Sequence, residues 1–453
     1  MTAPADRSLL TGWGRAMPTA AEVRTPSNRD ELAKGVLDAG PRGVIVRGLG
    51  RSYGDAAQNA GGTVIDATGT SPVEFPTIDD NGVVTVTAGT SLEALMQAFG
   101  PRGFFLPVSP GTRFVTVGGA IAADVHGKNH HTDGSFMNHV RSLRLARPSG
   151  EVVDLTPDDE LFWATAGGMG LTGVIVDATI ALPRIESSAF SVDTDRVGDL
   201  DAAMAMMSQE DSRYHYSVAW IDLLATGRHM GRSVLYRGDF APVDALPRKR
   251  QADPLAFSVR TVATAPPAPP KLLNHLSLRA FNELYFRRAP KRRRGELQTI
   301  TRFFHPLDIL NNWNRLYGPS GFIQWQPVVP FGAESTLQHI VEALSSSGIP
   351  SFLSVLKRFG PGNRGHLSFP MPGWTLSLDI PVTNGPALGQ LLDDLDRRVA
   401  DVGGRVYFAK DSRMRPELVP VMYPRLDEWR AVCTAADPDG VMQSDLARRL
   451  QLR

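Results

Sequence analysis

Residues 110–131 read PGTRFVTVGGAIAADVHGKNHH, and the reading of this stretch decides the fold. It opens on a tight turn, Pro110-Gly111-Thr112, and runs through Thr116 into the paired glycines Gly118 and Gly119 and then Ala120. Ionisable and polar side chains follow at once: Asp124, His126, Lys128, Asn129, His130 and His131. Glycines lack a Cβ, so consecutive backbone N–H groups can approach an anion and form a concavity for it. A phosphate-bearing cofactor held there would sit beside groups capable of acid–base chemistry. The competing reading is an ordinary glycine turn followed by solvated polar residues, and this stretch alone does not decide between them.

Two further glycine clusters change the balance. Val44-Ile45-Val46 reads as a strand that feeds Gly48-Leu49-Gly50-Arg51-Ser52-Tyr53-Gly54-Asp55, a standard place to hold a pyrophosphate. Residues 161–175, LFWATAGGMGLTGVI, supply the third cluster, with Gly170 and Ile175 near its end. Three clusters in one stretch of the chain point to one extended ligand. Residues 64–66 and 83–90 read as further strands, and Ser91 as the N-cap of a helix through Leu92, Leu95 and Met96. The result is an α+β domain. It is not a Rossmann repeat, because the GxGxxG fingerprint with an acidic residue about twenty positions on is missing.

The chain has 453 residues, which suggests two or three domains. Hydrophobic residues make up 42% and charged residues 21%, and the formal net charge is +1, so no global field argues for nucleic acid. Cys433 is the only cysteine, which excludes an intramolecular disulfide and fits a reducing compartment. The first residues carry no apolar signal region, and no run of about 18 apolar residues predicts a membrane span. A cytoplasmic or peripheral membrane location is expected.

The blocks at 48–55, 110–131 and 161–175 resemble the FAD domain of the vanillyl-alcohol oxidase / p-cresol methylhydroxylase superfamily. Further blocks narrow the resemblance: FFHPLDIL (303–310), NRLYGPSGFIQWQ (314–326), FLSVLKRFGP (352–361), LSFPMPGW (367–374), GGRVYFAKDSR (403–413) and SDLARRL (444–450). They are similar to the flavoproteins that oxidise the 2′-hydroxyl of a polyprenyl-phosphoryl ribose to the 2′-keto sugar. That reaction is the first half of an epimerisation, which a separate NAD(P)H-dependent reductase completes. The resemblance implies a two-domain α+β flavoprotein with a split FAD-binding domain, residues 1–188 and 405–453. Residues 189–404 would form the substrate-binding domain on an antiparallel sheet.

The resemblance also nominates residues. Lys410, in YFAKDSR, would be the essential active-site lysine, either as base or as electrostatic stabiliser, with His126 and Tyr53 beside the reacting groups. FAD contacts would come from Gly48, Leu49, Gly50, Arg51, Ser52, Tyr53, Pro110, Gly111, Thr112, Thr116, Gly118, Gly119, Ala120, Asp124, His126, Gly127, Gly170, Ile175 and Tyr407. Substrate contacts would come from Trp220, Tyr317, Gln324, Gln326, Lys357 and Ser377; Gln324 and Gln326 alternate along an expected strand, and amides suit sugar hydroxyls. Superfamily members with covalent flavin often carry His where this chain has Arg51, so noncovalent FAD is expected. No metal site is expected, because no ligand set has suitable spacing. Two positions depart from the resembling family: Ser377 stands where inhibitor-reactive members have cysteine, and Thr375 where they have asparagine.

Residues 264–294 read as a mobile basic loop. Pro266, Pro267, Pro269 and Pro270 oppose sheet formation, and Arg287, Arg288, Lys291, Arg292, Arg293 and Arg294 cluster positive charge. With Leu272, Leu273, Leu276, Leu278 and Phe281 between them, the segment suits peripheral contact with an anionic membrane. It lacks the interleaved aromatics of a nucleic-acid binder. Other readings stay open at this point: oxidation of another sugar or alditol, or flavin binding without this turnover.

Overall fold

The computed structural model describes residues 7–259, 261–267, 269, 274–349, 351–382 and 385–453. Two small sheets open the chain. In the first, Arg7–Leu10 (β1) pairs antiparallel with Thr19–Arg24 (β2), while Val44–Arg47 (β3) and Thr63–Asp66 (β4) lie parallel, in the order β1-β2-β4-β3. The second contains Val83–Thr87 (β5), Val140–Ala146 (β6), Val152–Leu155 (β7) and Val174–Ala181 (β8), in the order β5-β8-β6-β7. Ser91 does cap the helix Leu92–Phe99, its side chain accepting from Ala94 N. That helix buries Leu92, Leu95, Met96 and Phe99, the i, i+3, i+4, i+7 face of an amphipathic helix.

Ala189–Val197 (β9) starts a second region. With Tyr216–Ile221 (β10) and Ser233–Phe240 (β11) it enters a nine-stranded sheet. A two-residue ribbon joins Ala263–Thr264 (β12) to Leu310–Asn311 (β14). The other members of the large sheet are Arg292–Thr299 (β13), Phe322–Trp325 (β15), Pro327–Pro330 (β16), Ser354–Phe359 (β17), Gly373–Pro381 (β18) and Arg405–Val406 (β19). Its path is β13-β9-β11-β10-β17-β18-β16-β19, with β15 also on β18. All nine residues of β18 are buried, and its sequence alternates strictly. Trp374, Leu376, Leu378 and Ile380 face the apolar core, while Thr375, Ser377 and Asp379 share the other face.

After β19 the chain returns to the first sheet. Val44 and Met442 form a parallel bridge, and Arg449 pairs with Asp55 at 2.8 Å and with Asp411 at 2.8 Å. The glycine loop after β3 is thereby tied to the segment that carries Lys410.

The reading of 264–294 as a loop is corrected for residues 275–288 and 292–294, while 265–267 and 269 carry no helix or strand. His275–Arg288 is a helix capped by Asn274, whose side chain accepts from Leu276 N and Ser277 N at 2.9 and 3.1 Å. The basic run then enters β13 against β9. Part of its charge is paired: Arg287 binds Glu283, and Arg294 binds Asp193 and Asp195. Pro270, Leu272 and Leu273 lie outside the described residues. No helix among the described residues is long and apolar enough to cross a membrane.

Candidate active site

A cavity of about 690 Å³ lies where the glycine loops meet the large sheet. This volume suits a large organic ligand. Gly48 to Tyr53 form one wall; Pro110, Gly111, Thr112, Thr116, Gly118 and Gly119 form a second; Gly170 and Ile175 close a third. The first two loops touch: a Cβ on Gly48 would collide with the Thr116 side chain. Gly170 has φ +79°, a left-handed conformation that favours glycine. Arg51 crosses this wall with its guanidinium 3.7 Å from the Trp13 ring centroid and 4.9 Å from that of Phe114. Burial lowers its pKa to about 10, so it remains a cation at neutral pH.

The large sheet and the returning C-terminal segment carry the reactive groups. Lys410 Nζ donates to Ser377 Oγ at 3.0 Å, with the Tyr53 ring 5.5 Å away. Burial first, and then the charge of Lys357, lower the Lys410 pKa to about 7, against the opposing pull of Asp379. Lys357 is pushed down to about 8 by burial, and Lys128 to about 7 by burial and the charge of Lys357. Burial raises Asp379 to about 6 despite donation from Gln324 Nε2 and, at 3.1 Å, from the Tyr317 hydroxyl.

His126 is fixed in one tautomer by its neighbours. Thr375 Oγ1 gives its hydrogen to Pro327 O at 2.9 Å, so it accepts from Gln326 Nε2 at 2.9 Å. The second hydrogen of that amide goes to His126 Nε2 at 2.8 Å. The ring proton therefore sits on Nδ1, which is buried and has no partner among the described residues. Burial, then Lys357 and Lys410, hold the pKa of His126 well below its ordinary value, so the ring is neutral at pH 7.

Most sequence-nominated residues converge here. Leu49, Ser52, Gly127, Trp220, Gln324 and Tyr407 line the cavity along with those already placed. Four nominees do not line it. Ala120 is fully buried in the core. Asp124, expected as a cofactor contact, is enclosed by donors of the protein itself: Ser135 Oγ at 2.9 Å, Asn363 Nδ2 at 2.7 Å, Ser368 Oγ at 2.5 Å and Met137 N at 3.1 Å. Tyr317 stacks on Phe322 at 4.0 Å and addresses Asp379. Gln326 lies between β15 and β16, and its amide is used by His126 and Thr375. Sequence reasoning missed Asp379, Tyr285, Gln298 and Arg302 as site-forming residues, and named Lys128 in the polar cluster without giving it a role of its own. The polar alternation Thr375-Ser377-Asp379 was the available signal for Asp379.

These residues fit FAD. Glycine loops so close that a Cβ on Gly48 would collide with Thr116, and a guanidinium over the Trp13 ring, line a cavity of a size for a large flavin cofactor. Among the described residues no cluster of His, Cys, Asp or Glu could hold a metal ion.

A family model described as an FAD binding domain matches residues 20–156. Fold, cavity and this match define a flavin-dependent oxidoreductase. Over 458 aligned residues the chain is 47% identical to decaprenylphosphoryl-beta-D-ribose oxidase of Mycolicibacterium smegmatis, covering 99% of this chain and 98% of that one. The chain belongs to the decaprenylphosphoryl-β-D-ribose oxidase family. An uncharacterized protein of the mprA 5′ region in Streptomyces coelicolor is 41% identical over 372 residues, all of its length and 80% of this chain. Cytokinin dehydrogenase 4 of Arabidopsis thaliana matches less, 30% over 149 residues, 31% of this chain.

Proposed function

We propose that this protein oxidises the 2′-hydroxyl of a polyprenyl-phosphoryl ribose to the 2′-keto sugar, with noncovalently bound FAD. The observation that carries the reading is the union of three glycine loops and a buried Lys410–Ser377 pair on one cavity, in a chain 47% identical to such an oxidase end to end. When bound, FAD supplies the acceptor for the hydride that leaves the carbinol carbon. Lys410, with a pKa of about 7, takes the hydroxyl proton as its neutral amine. Ser377 holds that amine in place through its 3.0 Å hydrogen bond. Neutral His126 lines the cavity beside them, and Lys357 and Gln324 offer donors to sugar oxygens. Arg51, where covalent members of the superfamily carry histidine, cannot form a bond to the flavin. The 2′-keto product is then reduced by a partner NAD(P)H-dependent enzyme. The described helix His275–Arg288, with Leu276, Phe281 and Leu284 exposed, contacts the membrane that holds the lipid.

Anaerobic mixing of the purified flavoprotein with a polyprenyl-phosphoryl ribose tests the activity. Flavin absorbance near roughly 450 nm should bleach; bleaching by free pentoses or alditols alone would point to a small soluble substrate instead. Acid precipitation should release yellow flavin into the supernatant. Colour retained on the denatured protein would refute noncovalent binding.

A further inference from the structure

A second cavity, of about 340 Å³, opens between the helix His275–Arg288 and β13. Tyr236, Phe281, Tyr285, Gln298 and Arg302 line both cavities, so the two share a wall. Three arginines reach the second cavity from three elements: Arg288 from the last turn of the helix, Arg293 from β13, and Arg302 from the short helix Ile300–Phe304.

Its charge is not balanced. Among the described residues, Glu296 is the only carboxylate on its lining. Arg293 and Arg302 both reach the same oxygen, Glu296 Oε1, at 3.2 and 3.3 Å. The other oxygen accepts from Gln298 Nε2 at 2.9 Å. Arg288 makes no ion pair among the described residues. The adjoining arginines differ: Arg287 is paired with Glu283, and Arg294 with Asp193 and Asp195. Lys291 and Arg292, which also make no ion pair among the described residues, lie off the lining, but the cavity itself carries three arginines against one carboxylate. Guanidinium forks match phosphate oxygens geometrically as well as electrostatically. Phe281 and Leu284 line the same cavity while remaining exposed, and Leu276 extends the apolar strip along the helix. The main cavity therefore offers groups for a hydroxyl, and the adjoining one groups for an anion and an apolar chain.

We propose that Arg288, Arg293 and Arg302 form the subsite for the phosphodiester of a lipid-linked pentose, and thereby set the specificity for a phosphate-bearing substrate. The proposal rests on the oxidase reading above. It assigns the sugar to the main cavity, the phosphodiester to the second, and the first prenyl units to Phe281 and Leu284.

The test uses the FAD-loaded full chain and the R288Q/R293Q/R302Q variant, matched for FAD content and melting temperature. Binding of farnesyl methyl phosphate is read by tryptophan fluorescence, since Trp220 packs against Tyr285 of the shared wall, ring centroids 4.7 Å apart. Inorganic phosphate is titrated in parallel. Turnover is followed with farnesylphosphoryl ribose. The variant should bind the farnesyl diester roughly tenfold or more weakly and show a raised KM with kcat within about twofold. A triple Arg→Lys variant should recover part of the binding. Unchanged diester binding in the Gln variant, or no diester binding by the wild type, overturns the subsite. Equal affinity for inorganic phosphate and the diester overturns the lipid-linked assignment. Diester binding that depends on the arginines without ribose oxidation leaves the subsite standing and removes the oxidase reading.

Discussion

Lys410 and Ser377 are joined by a 3.0 Å hydrogen bond from Nζ to Oγ, across the junction between the returning C-terminal segment and the central strand β18. The bond positions an amine that burial has brought to a pKa of about 7. Lys410→Ala should keep FAD and lose substrate-driven flavin reduction by about 100-fold or more. Ser377→Ala should lose roughly tenfold, the worth of one buried hydrogen bond. Stopped-flow absorbance of the folded, flavin-loaded variants checks both; a near-normal rate in Lys410→Ala removes the lysine from the mechanism.

The same pair predicts a pH profile. A base is active when deprotonated, so kcat/KM should rise with pH through about 7 and level off above it, as set by burial and the charge of Lys357. A profile that falls with pH through this region would make Lys410 a cationic stabiliser. In Lys410→Met the inflection near 7 should vanish.

How much of this was legible in the sequence follows from the periodicities involved. The glycine loops and the Lys410 block were readable because backbone approach to a large ligand requires specific residues at fixed places. The strict alternation of residues 374–380 announces a two-faced strand, but not that Asp379 would meet Gln324 and Tyr317 from elsewhere in the chain. Asp124 misled because its neighbours Gly127 and His126 do face the cavity. Two of its four partners, Asn363 and Ser368, lie more than two hundred residues on. The basic segment misled for the same reason: Asp193 and Asp195, which pair with Arg294, belong to a strand about a hundred residues earlier.

Arg449 should act as a structural clamp. It is bidentate to Asp55 and also binds Asp411, so the first glycine loop and the Lys410 segment share one cation. Arg449→Ala leaves two buried carboxylates without their partner, at a cost of about 3 kcal/mol. A fall in chemical-denaturation midpoint with weakened FAD retention is the expected result; unchanged stability would show that the clamp is dispensable.

Membrane contact should follow the exposed face of the helix His275–Arg288 rather than the whole basic run. Leu276 is 76% exposed, Phe281 42% and Leu284 50%. Leu276→Glu with Leu284→Glu should reduce co-sedimentation with anionic vesicles, and added salt should reduce it further by screening the exposed cations. Arg294→Ser should change little, since that arginine is paired with Asp193 and Asp195. Failure of the wild type to sediment with anionic vesicles at low salt would remove the membrane contact.

The three buried lysines also predict how the apoprotein responds to alkali. Lys128, Lys357 and Lys410 have pKa values lowered from 10.5 to about 7, 8 and 7. In the unfolded chain each reverts to its ordinary value, so between about pH 8 and 10 the unfolded state binds more protons than the native one. Stability then rises with pH across that window, by about 1.4 kcal/mol per pH unit for each full proton of difference. Above it, buried tyrosines such as Tyr407, whose pKa burial raises, begin to oppose the trend. An anionic cofactor in the cavity favours the charged lysines, so the slope should be smaller in the FAD-loaded protein. Thermal unfolding of the apoprotein at about pH 7.5 and about pH 9.5 is the measurement. The melting temperature should increase, and Lys128→Met should lessen the increase by removing one of the three contributions. A flat or falling melting temperature would mean that these lysines keep their protons in the folded protein, and Lys410 would then be unsuited to act as a base near neutral pH.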